Sequence, residues 1–307
     1  MQILFYILLG LLILILVVLG AYLIIGHMLY HASLSRNSKY KIKIENNHHK
    51  NFSNKHDEYF NSGFKKISIL SKDKLKLFGF YKDNNKNKIA LLVHGYGGSH
   101  YDMIDYAKLF EEKEYDILAI DLRAHGASEG DYVSMGQLEQ EDLKLWIENI
   151  LSIKPNYKIV LFGVSLGAST ICLTLGQKIS NQVVLAIEDC GFANAEKQVS
   201  LVFAKTKMKG NFFFNLYKSY INRTKNIDLK KLDICTSLKK SKIPVMFIHG
   251  DNDSFVSTEN VYKMSECLPE NRRYLYIAKD AGHIKSYYTN PIQYKKELYN
   301  FLNMYNM

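Results

Sequence analysis

An uninterrupted apolar stretch begins the chain, with no charged residue from Ile3 to Ile25. A helix of that length can cross a hydrocarbon layer about 30 Å thick. A cleaved secretory signal is the alternative, but it requires a basic residue before the run, an apolar region of about 7–15 residues and a small-residue cleavage site. The chain lacks all three features. We therefore predict an uncleaved transmembrane anchor over residues 1–27.

A polar segment rich in Asn and Lys follows, without hydrophobic periodicity. Such a composition is typical of a solvated linker, so we predict a polar tether over residues 28–62. Basic residues close to the apolar run lie only on its C-terminal side, at Arg36, Lys39, Lys41 and Lys43. Because positive flanking residues favour the cytoplasm, we expect a single-pass protein of the cell membrane with its large domain on the cytoplasmic side.

From residue 63 to residue 307, short apolar runs alternate with stretches of helical periodicity. The apolar runs predict strands at 66–70, 75–81, 89–93, 117–120, 159–162, 183–187, 245–248 and 274–277. The amphipathic stretches predict helices at 101–113, 138–151, 165–179, 258–267 and 291–302. Strands that alternate with helices form a mostly parallel sheet, and functional residues of such sheets lie beyond the carboxyl ends of the strands. The pattern thus predicts an α/β fold.

One predicted strand end carries a serine between two glycines, in the sequence Gly163-Val164-Ser165-Leu166-Gly167. A strand, a sharp G-x-S-x-G turn and a helix form the nucleophile elbow, which lifts the serine hydroxyl clear of the sheet. The following helix directs its N–H groups and the positive end of its dipole at the same place. A tight turn without chemistry is the alternative, and the neighbouring strand ends decide against it.

Further chemically active residues also follow predicted strands. His94 and Gly95 follow the strand at 89–93, Asp253 follows the strand at 245–248, and His283 follows the strand at 274–277. A serine hydroxyl is a poor nucleophile unless a base lies beside it. The chain order Ser, Asp, His is the order expected for nucleophile, acid and base in this architecture.

Five motifs occur in order at these strand ends: HG-x-x-G, D-x-R-x-HG-x-S-x-G, G-x-S-x-G, HG-x-x-D-x-x-V and GH. From Phe64 onward the chain therefore resembles the α/β-hydrolases, in particular the bacterial serine aminopeptidase-like and esterase-like group, some of which carry an N-terminal membrane anchor. The resemblance implies an α/β-hydrolase fold with a helical cap. It also implies hydrolysis through an acyl-enzyme without a cofactor. Carboxylic or lipid-like esters are the expected substrates; a peptide N-terminus, or an inactive hydrolase fold that only binds a partner, is the alternative.

In such an enzyme Ser165 is the nucleophile, and His283 accepts its proton and returns it to the leaving group. Asp253 holds the imidazole in the required tautomer, because it occupies the acid position of the HG-x-x-D motif. Asp251, two residues earlier, and Asp189, at the end of the preceding strand, are the alternative acids.

Backbone N–H groups of Tyr96 and Leu166 are expected to form the oxyanion hole. His94 and Gly95 belong to the same turn, whose glycines let the backbone approach a substrate closely. The turn lacks the lysine of a phosphate-binding loop. A set of polar residues after the strand at 117–120 is predicted to brace the site rather than react: Asp121, Arg123, His125 and Ser128.

The segment 192–242 interrupts the alternation and is long for a connection, so we expect it to form the cap. It combines aromatic residues with about a dozen basic residues and few acids. A lid with an apolar underside and a solvated basic top is the favoured interpretation. A surface that faces anionic lipid is the other.

Composition narrows the function classes. The 40 Lys and Arg residues exceed the 30 Asp and Glu residues, but no nucleic-acid-binding motif accompanies the charge. Four cysteines, Cys172, Cys190, Cys235 and Cys267, are widely spaced without a C-x-x-C pair, which predicts neither a metal site nor a disulfide framework. The histidines at 48, 49 and 56 lie in the polar tether without carboxylate or cysteine partners at ligand spacing, so we interpret them as solvated.

Overall fold

Eight strands form one sheet in the computed structural model, which describes residues 1–38, 58–204 and 210–307. The strands are β1 Lys65–Leu70, β2 Lys76–Lys82, β3 Lys88–Val93, β4 Asp116–Ile120, β5 Lys158–Val164, β6 Val183–Asp189, β7 Val245–Gly250 and β8 Arg273–Ala278. Their order is β1-β2-β4-β3-β5-β6-β7-β8; β1 and β2 run antiparallel to their neighbours, and the other strands are mutually parallel. Every predicted strand is present, with each end within two residues of its predicted position.

Helices cover both faces of the sheet. The α-helices of the described residues are α1 Gln2–Ser33, α2 Ile104–Glu111, α3 Glu139–Ile153, α4 Leu166–Leu175, α5 Ala195–Ala204, α6 Asn211–Lys225, α7 Ile234–Leu238, α8 Glu259–Ser265, α9 Ser286–Thr289 and α10 Pro291–Met304. Helices α2 and α10 pack on one face, and α3, α4, α7 and α8 pack on the other. Because both faces are covered, the central strands are apolar along nearly their whole length, as the sequence pattern predicted.

Helix α1 contains the apolar stretch, and residues 2–19 are all exposed. Among the described residues it is the one helix long and apolar enough to cross a membrane. It does not end at the predicted residue 27 but continues to Ser33. The last turns stay helical because Leu29 and Tyr30 are buried against the rest of the chain, with only 8% and 3% of their surface exposed.

The predicted tether is therefore wrong at its beginning, because residues 28–38 dock on the domain. Ser35 forms a β-bridge with Tyr132, and the Arg36 guanidinium donates to the carbonyl of Gly126 at 2.9 Å. Arg36 thus belongs to the folded domain rather than to a solvated linker. Residues 39–57, with the other basic residues and the histidines assigned to the tether, lie outside the described residues.

Residues of the predicted cap form α5, α6 and α7 between β6 and β7, with residues 205–209 outside the description. Helix α6 packs directly against α1: a Cβ placed on Gly26 would lie 2.4 Å from the Tyr220 ring. The His27 imidazole is hydrogen-bonded to the Tyr220 hydroxyl at 3.1 Å, and the hydroxyls of Tyr22 and Ser219 are 3.2 Å apart. The cap is therefore in contact with the end of the apolar helix.

A disulfide joins Cys235 to Cys267, contrary to the expectation drawn from the cysteine spacing. The two cysteines are 32 positions apart, but α7 and α8 lie on the same face of the sheet and bring their Cα atoms within 5.5 Å. This proximity depends on the folded arrangement of two helices, so sequence spacing alone could not predict it. Cys172 and Cys190 are free and buried.

Candidate active site

Ser165 lies in the turn between β5 and α4, with φ 51° and ψ −115°. A non-glycine residue with positive φ is strained, and such strain is typical of functional turns. The Ser165 amide donates to the Asp189 carbonyl at 2.8 Å, which fixes the turn to the end of β6. The serine side chain is thereby held at the carboxyl edge of the sheet.

The two glycines around Ser165 are required by close backbone contacts. A Cβ on Gly163 would lie 2.6 Å from the carbonyl carbon of Gly167. A Cβ on Gly167 would lie 2.2 Å from the Val93 carbonyl oxygen at the end of β3. Both distances are far inside van der Waals contact, so the turn is possible only without side chains at these positions.

Three side chains from three strand ends form a continuous hydrogen-bonded chain. The Ser165 Oγ lies 2.9 Å from His283 Nε2, and His283 Nδ1 lies 2.7 Å from Asp253 Oδ2. These contacts fit an imidazole that carries its proton on Nδ1 and accepts the serine proton at Nε2. The structure thus brings together the three residues assigned as nucleophile, base and acid.

The Asp253 carboxylate is fully buried and held by several donors. Its Oδ1 accepts the backbone N–H groups of Phe255 and Val256 at 2.9 Å each. Burial opposes ionisation, but hydrogen bonds to His249 and His283 outweigh it and hold the pKa of Asp253 well below its usual range. Asp253 therefore stays ionised at neutral pH, as an acid that stabilises an imidazolium must.

His249 is a further site residue. It is the first residue of the HG-x-x-D motif, and the sequence analysis assigned it no role. Its Nε2 lies 3.2 Å from Asp253 Oδ2 and 2.9 Å from the Val256 carbonyl. It therefore fixes the loop that carries Asp253. Its position as the first residue of HG-x-x-D, directly after the strand core, was the available signal.

The two alternative acids lie elsewhere. Asp251 is exposed. Asp189 is fully buried and accepts hydrogen bonds from the hydroxyls of Tyr294 at 2.9 Å and Ser286 at 3.3 Å. Burial raises the pKa of Asp189 to about 6. Asp189 thus fixes α9 and α10 to the end of β6 and does not contact His283.

The turn after β3 lies directly beside the serine. A Cβ on Gly95 would lie 3.3 Å from the Ser165 Cβ, so this glycine lets the two turns approach each other. Tyr96 and Leu166 line the same cavity as Ser165. In the described part of the chain, neither of their backbone N–H groups donates to a protein acceptor. Both donors are available to an oxygen bound beside Ser165.

Two buried neutral histidines brace this turn. His94 Nδ1 bonds the Gly95 carbonyl at 2.7 Å, while its Nε2 accepts the Leu122 N–H at 3.0 Å. His125 Nε2 accepts the Gly97 N–H at 2.9 Å. Because burial lowers the pKa of His125 to about 3, it remains an acceptor at neutral pH. His125 therefore acts in support of the turn, and His283 is the histidine that contacts Ser165.

The remaining predicted bracing residues also form a structural network. Asp121 Oδ1 accepts the His100 backbone N–H at 2.7 Å, and the Ser128 hydroxyl donates to the Asp121 carbonyl at 2.7 Å. Arg123 pairs with Asp142, its Nε lying 2.6 Å from a carboxylate oxygen. None of these contacts reaches the serine, in agreement with the bracing role.

An apolar cavity of about 360 Å³ opens beside Ser165. Its wall combines residues of the sheet edge, the cap and α1: Met28, Leu29, Ala32, Ser33, Leu34, Tyr96, Met135, Ser165, Leu166, Phe192, Gln198, Val199, Val202, Phe203, Tyr217, Phe255 and Val256. The sequence analysis did not predict that α1 contributes to this wall, because it assigned residues 28–34 to the tether. Among the described residues, no Asp or Glu belongs to this wall.

One grouping of possible metal ligands occurs in the described chain, formed by Cys190, Asp253 and His283, whose candidate ligand atoms lie within 4.8 Å of one another. His283 and Asp253 are already hydrogen-bonded to each other. Burial raises the pKa of the Cys190 thiol well above its usual value, which disfavours the thiolate that a metal needs. We interpret the grouping as the acid–base pair with a neighbouring thiol.

Comparisons with known proteins agree with this architecture. The family model "Serine aminopeptidase, S33" matches residues 84–228, a range that contains Ser165 and ends before Asp253 and His283. The uncharacterized protein YqkD of Bacillus subtilis is 29% identical over 229 residues, which cover 70% of this chain and 71% of YqkD.

Two solved structures share the fold. The Pyrococcus furiosus esterase Pf2001 superposes with a TM-score of 0.67 at 24% identity, over 80% of this chain and 94% of the esterase. An acylaminoacyl peptidase of Pyrococcus horikoshii superposes with a TM-score of 0.57 at 20% identity, over 79% of this chain and 41% of the peptidase. The chain thus has the α/β-hydrolase fold and is similar to serine aminopeptidase-like and esterase-like proteins of that fold.

Proposed function

We propose that this protein is a membrane-anchored serine esterase that hydrolyses carboxylic esters through an acyl-enzyme. The observation that carries the proposal is the chain of contacts from Ser165 Oγ through His283 to Asp253, at 2.9 Å and 2.7 Å. Hydrogen-bonded nucleophile, base and acid in this arrangement are the constellation of serine hydrolases on several unrelated folds.

In the first half of the reaction, Ser165 Oγ forms a bond to the ester carbonyl carbon while His283 Nε2 takes the hydroxyl proton. Asp253 stabilises the imidazolium that results. The carbonyl oxygen becomes an oxyanion, and the N–H groups of Tyr96 and Leu166 are the donors available to it. The bond to the alkoxy oxygen then breaks, and His283 returns the proton to the departing alcohol.

In the second half, water replaces the alcohol. His283 takes a proton from the water, whose oxygen attacks the acyl carbon held by Ser165. The bond between that carbon and Ser165 Oγ breaks, and the serine regains its proton. The products are a carboxylic acid and the free enzyme, so atoms and charges balance without a cofactor.

The character of the cavity favours esters over peptides with a free N-terminus. An aminopeptidase needs an acidic group to bind the substrate ammonium, and the cap offers Glu196, Asp228 and Asp233. None of them lines the cavity. Glu196 pairs with Lys218, while Asp228 and Asp233 accept backbone N–H groups at helix N-termini. An apolar cavity without a carboxylate suits an acyl chain.

We propose further that α1 anchors the protein as a single membrane span, on the basis of its length, apolarity and exposure. For the side of the membrane, the disulfide between Cys235 and Cys267 argues against the cytoplasm, where disulfides are rare. The positive-inside rule counts basic residues near the end of a span, but one of them, Arg36, is hydrogen-bonded to the folded domain. We therefore propose that the hydrolase domain lies outside the cytoplasm, opposite to the side that the flanking charge favours.

A substrate comparison tests the proposal. The full-length protein and its Ser165→Ala variant are assayed on p-nitrophenyl esters of different chain length and on amino-acyl anilides. We expect ester hydrolysis by the wild type and none above background by Ser165→Ala. Hydrolysis of the anilides alone supports the aminopeptidase alternative, and no hydrolysis of either class supports the inactive binding module.

A further inference from the structure

We infer that the last turns of α1 form one wall of the acyl-binding cavity, and that the substrate is an ester whose acyl chain is taken from the bilayer. The inference rests on the proposed esterase function. Met28, Leu29, Ala32 and Ser33 of α1 line the same cavity as Ser165. The helix that anchors the chain therefore also shapes its substrate site.

The cavity lies next to the membrane-spanning part of α1. The apolar stretch ends at Ile25, and Met28 already lines the cavity. Three helical residues correspond to about 4.5 Å along the axis. An acyl chain near the bilayer surface that faces the hydrolase domain thus needs to move only a short distance to reach the wall formed by α1.

Hydrogen bonds and close packing fix this wall relative to Ser165. The Ser33 hydroxyl donates to the Tyr217 hydroxyl at 2.9 Å, and the Tyr96 hydroxyl donates to the Ser33 carbonyl. The contact of Gly26 with the Tyr220 ring holds α1 against α6. The anchor and the cap consequently enclose one preformed cavity rather than two separately moving surfaces.

The size of the cavity limits what it can hold. A volume of about 360 Å³ lies near the lower end of ligand pockets. Residues that narrow or widen this cavity should therefore change which acyl chain lengths are hydrolysed.

Substitutions on α1 test the inference in the full-length protein reconstituted in phosphatidylcholine nanodiscs. The readout is kcat/KM for p-nitrophenyl acetate, dodecanoate and hexadecanoate. Ala32→Trp fills the cavity, and Met28→Ala enlarges it. Ile24→Trp places the same indole on the exposed, lipid-facing part of α1 and is the matched control.

We expect Ala32→Trp to lower the ratio of dodecanoate to acetate kcat/KM by about ten-fold, since each excluded methylene forfeits apolar transfer energy. Met28→Ala should raise the ratio of hexadecanoate to dodecanoate, and Ile24→Trp should leave both ratios at wild-type values. If Ala32→Trp does not fold, which thermal unfolding reveals, Met28→Ala carries the test alone.

Wild-type ratios in Ala32→Trp and Met28→Ala, with normal acetate hydrolysis, would overturn the inference and leave the esterase proposal intact. Equal losses on all three esters would overturn it as well, because α1 would then affect catalysis and not chain selection. Absence of ester hydrolysis by the wild type would overturn the proposed function and this inference with it.

Discussion

The hydroxyl of Tyr96 donates a hydrogen bond to the backbone carbonyl of Ser33. Tyr96 belongs to the turn after β3, and its backbone N–H is one of the two proposed oxyanion donors. Ser33 is the last residue of α1. The contact therefore couples the proposed membrane anchor to the proposed oxyanion site.

Replacement of Tyr96 by Phe tests this coupling. The backbone N–H remains, but the turn loses its hydrogen bond to α1, which contributes about 1 kcal/mol. If that energy is lost from the stabilisation of the oxyanion in the transition state, kcat falls roughly five-fold. The measurement is kcat and KM for p-nitrophenyl acetate. Tyr262→Phe, at an exposed tyrosine on α8, is the control and should match the wild type. A wild-type kcat in Tyr96→Phe contradicts the coupling.

The acid of the site is tested by two neighbouring aspartates. Asp253→Asn should lower kcat by about 10³–10⁴, because the amide favours the wrong imidazole tautomer and cannot stabilise the imidazolium. Asp251→Asn changes an exposed carboxylate two positions away. Its kcat should remain within about two-fold of the wild-type value, because surface substitutions have small effects. Steady-state kinetics on one ester compares both. Equal effects of the two changes would contradict the assignment.

Glu188 should make the protein less stable as the pH rises. Its side chain is fully buried, one carboxylate oxygen accepts the Gly191 N–H at 2.8 Å, and the other has no partner among the described residues. Burial raises the pKa of Glu188 to about 8. Between about pH 4.3, where the unfolded chain releases this proton, and pH 8, where the folded protein does, stability falls by up to about 1.4 kcal/mol per pH unit.

Glu188→Gln replaces the carboxyl group with an amide that does not titrate. The stability of this variant should therefore decline less steeply as the pH rises. The measurement is the thermal unfolding temperature of the detergent-solubilised chain from pH 5 to pH 8. We expect the wild-type value to fall more steeply with pH than that of Glu188→Gln. Parallel curves for the two proteins would show that Glu188 does not retain its proton in the folded state.

The disulfide between Cys235 and Cys267 leads to two expectations. Cys235 and Cys267 should react with maleimide in intact cells only after treatment with a membrane-impermeant reductant. Reduction should lower the unfolding temperature by about 5–10 °C, because the bond closes a loop of 32 residues. The Cys235→Ser/Cys267→Ser double variant should show no further loss with reductant. Reaction of Cys235 and Cys267 with maleimide before reduction would show that the disulfide is absent and would favour the cytoplasmic side for the domain.

Much of the fold and site follows from local sequence patterns. The central strands are buried on both faces, so their apolar runs stand out, and Ser165 lies directly after one of them. His283 follows the edge strand β8 by five residues. The order of these strands in the sheet then brings the side chains together. Each position depends on a strand end, which is why the sequence pattern could predict where the candidate site residues lie.

Other features depend on contacts between distant elements. Residues 28–34 adjoin the polar segment and were assigned to the tether, yet Leu29 and Leu34 are buried in the hydrophobic core of the folded domain. The pairing of Cys235 with Cys267 requires α7 and α8 to lie together. Such packing between segments far apart in the chain leaves no local periodicity, so it could not be predicted from one sequence.

The central claim, that Ser165 is an activated nucleophile, is tested most directly by covalent labelling. The full-length protein is treated with a fluorophosphonate, digested, and the modified peptide is identified by mass spectrometry. We predict a single adduct on Ser165, formed by the wild type, strongly slowed in His283→Ala and absent from Ser165→Ala. No adduct on the folded wild-type protein, or an adduct on another residue that persists in Ser165→Ala, would contradict the account.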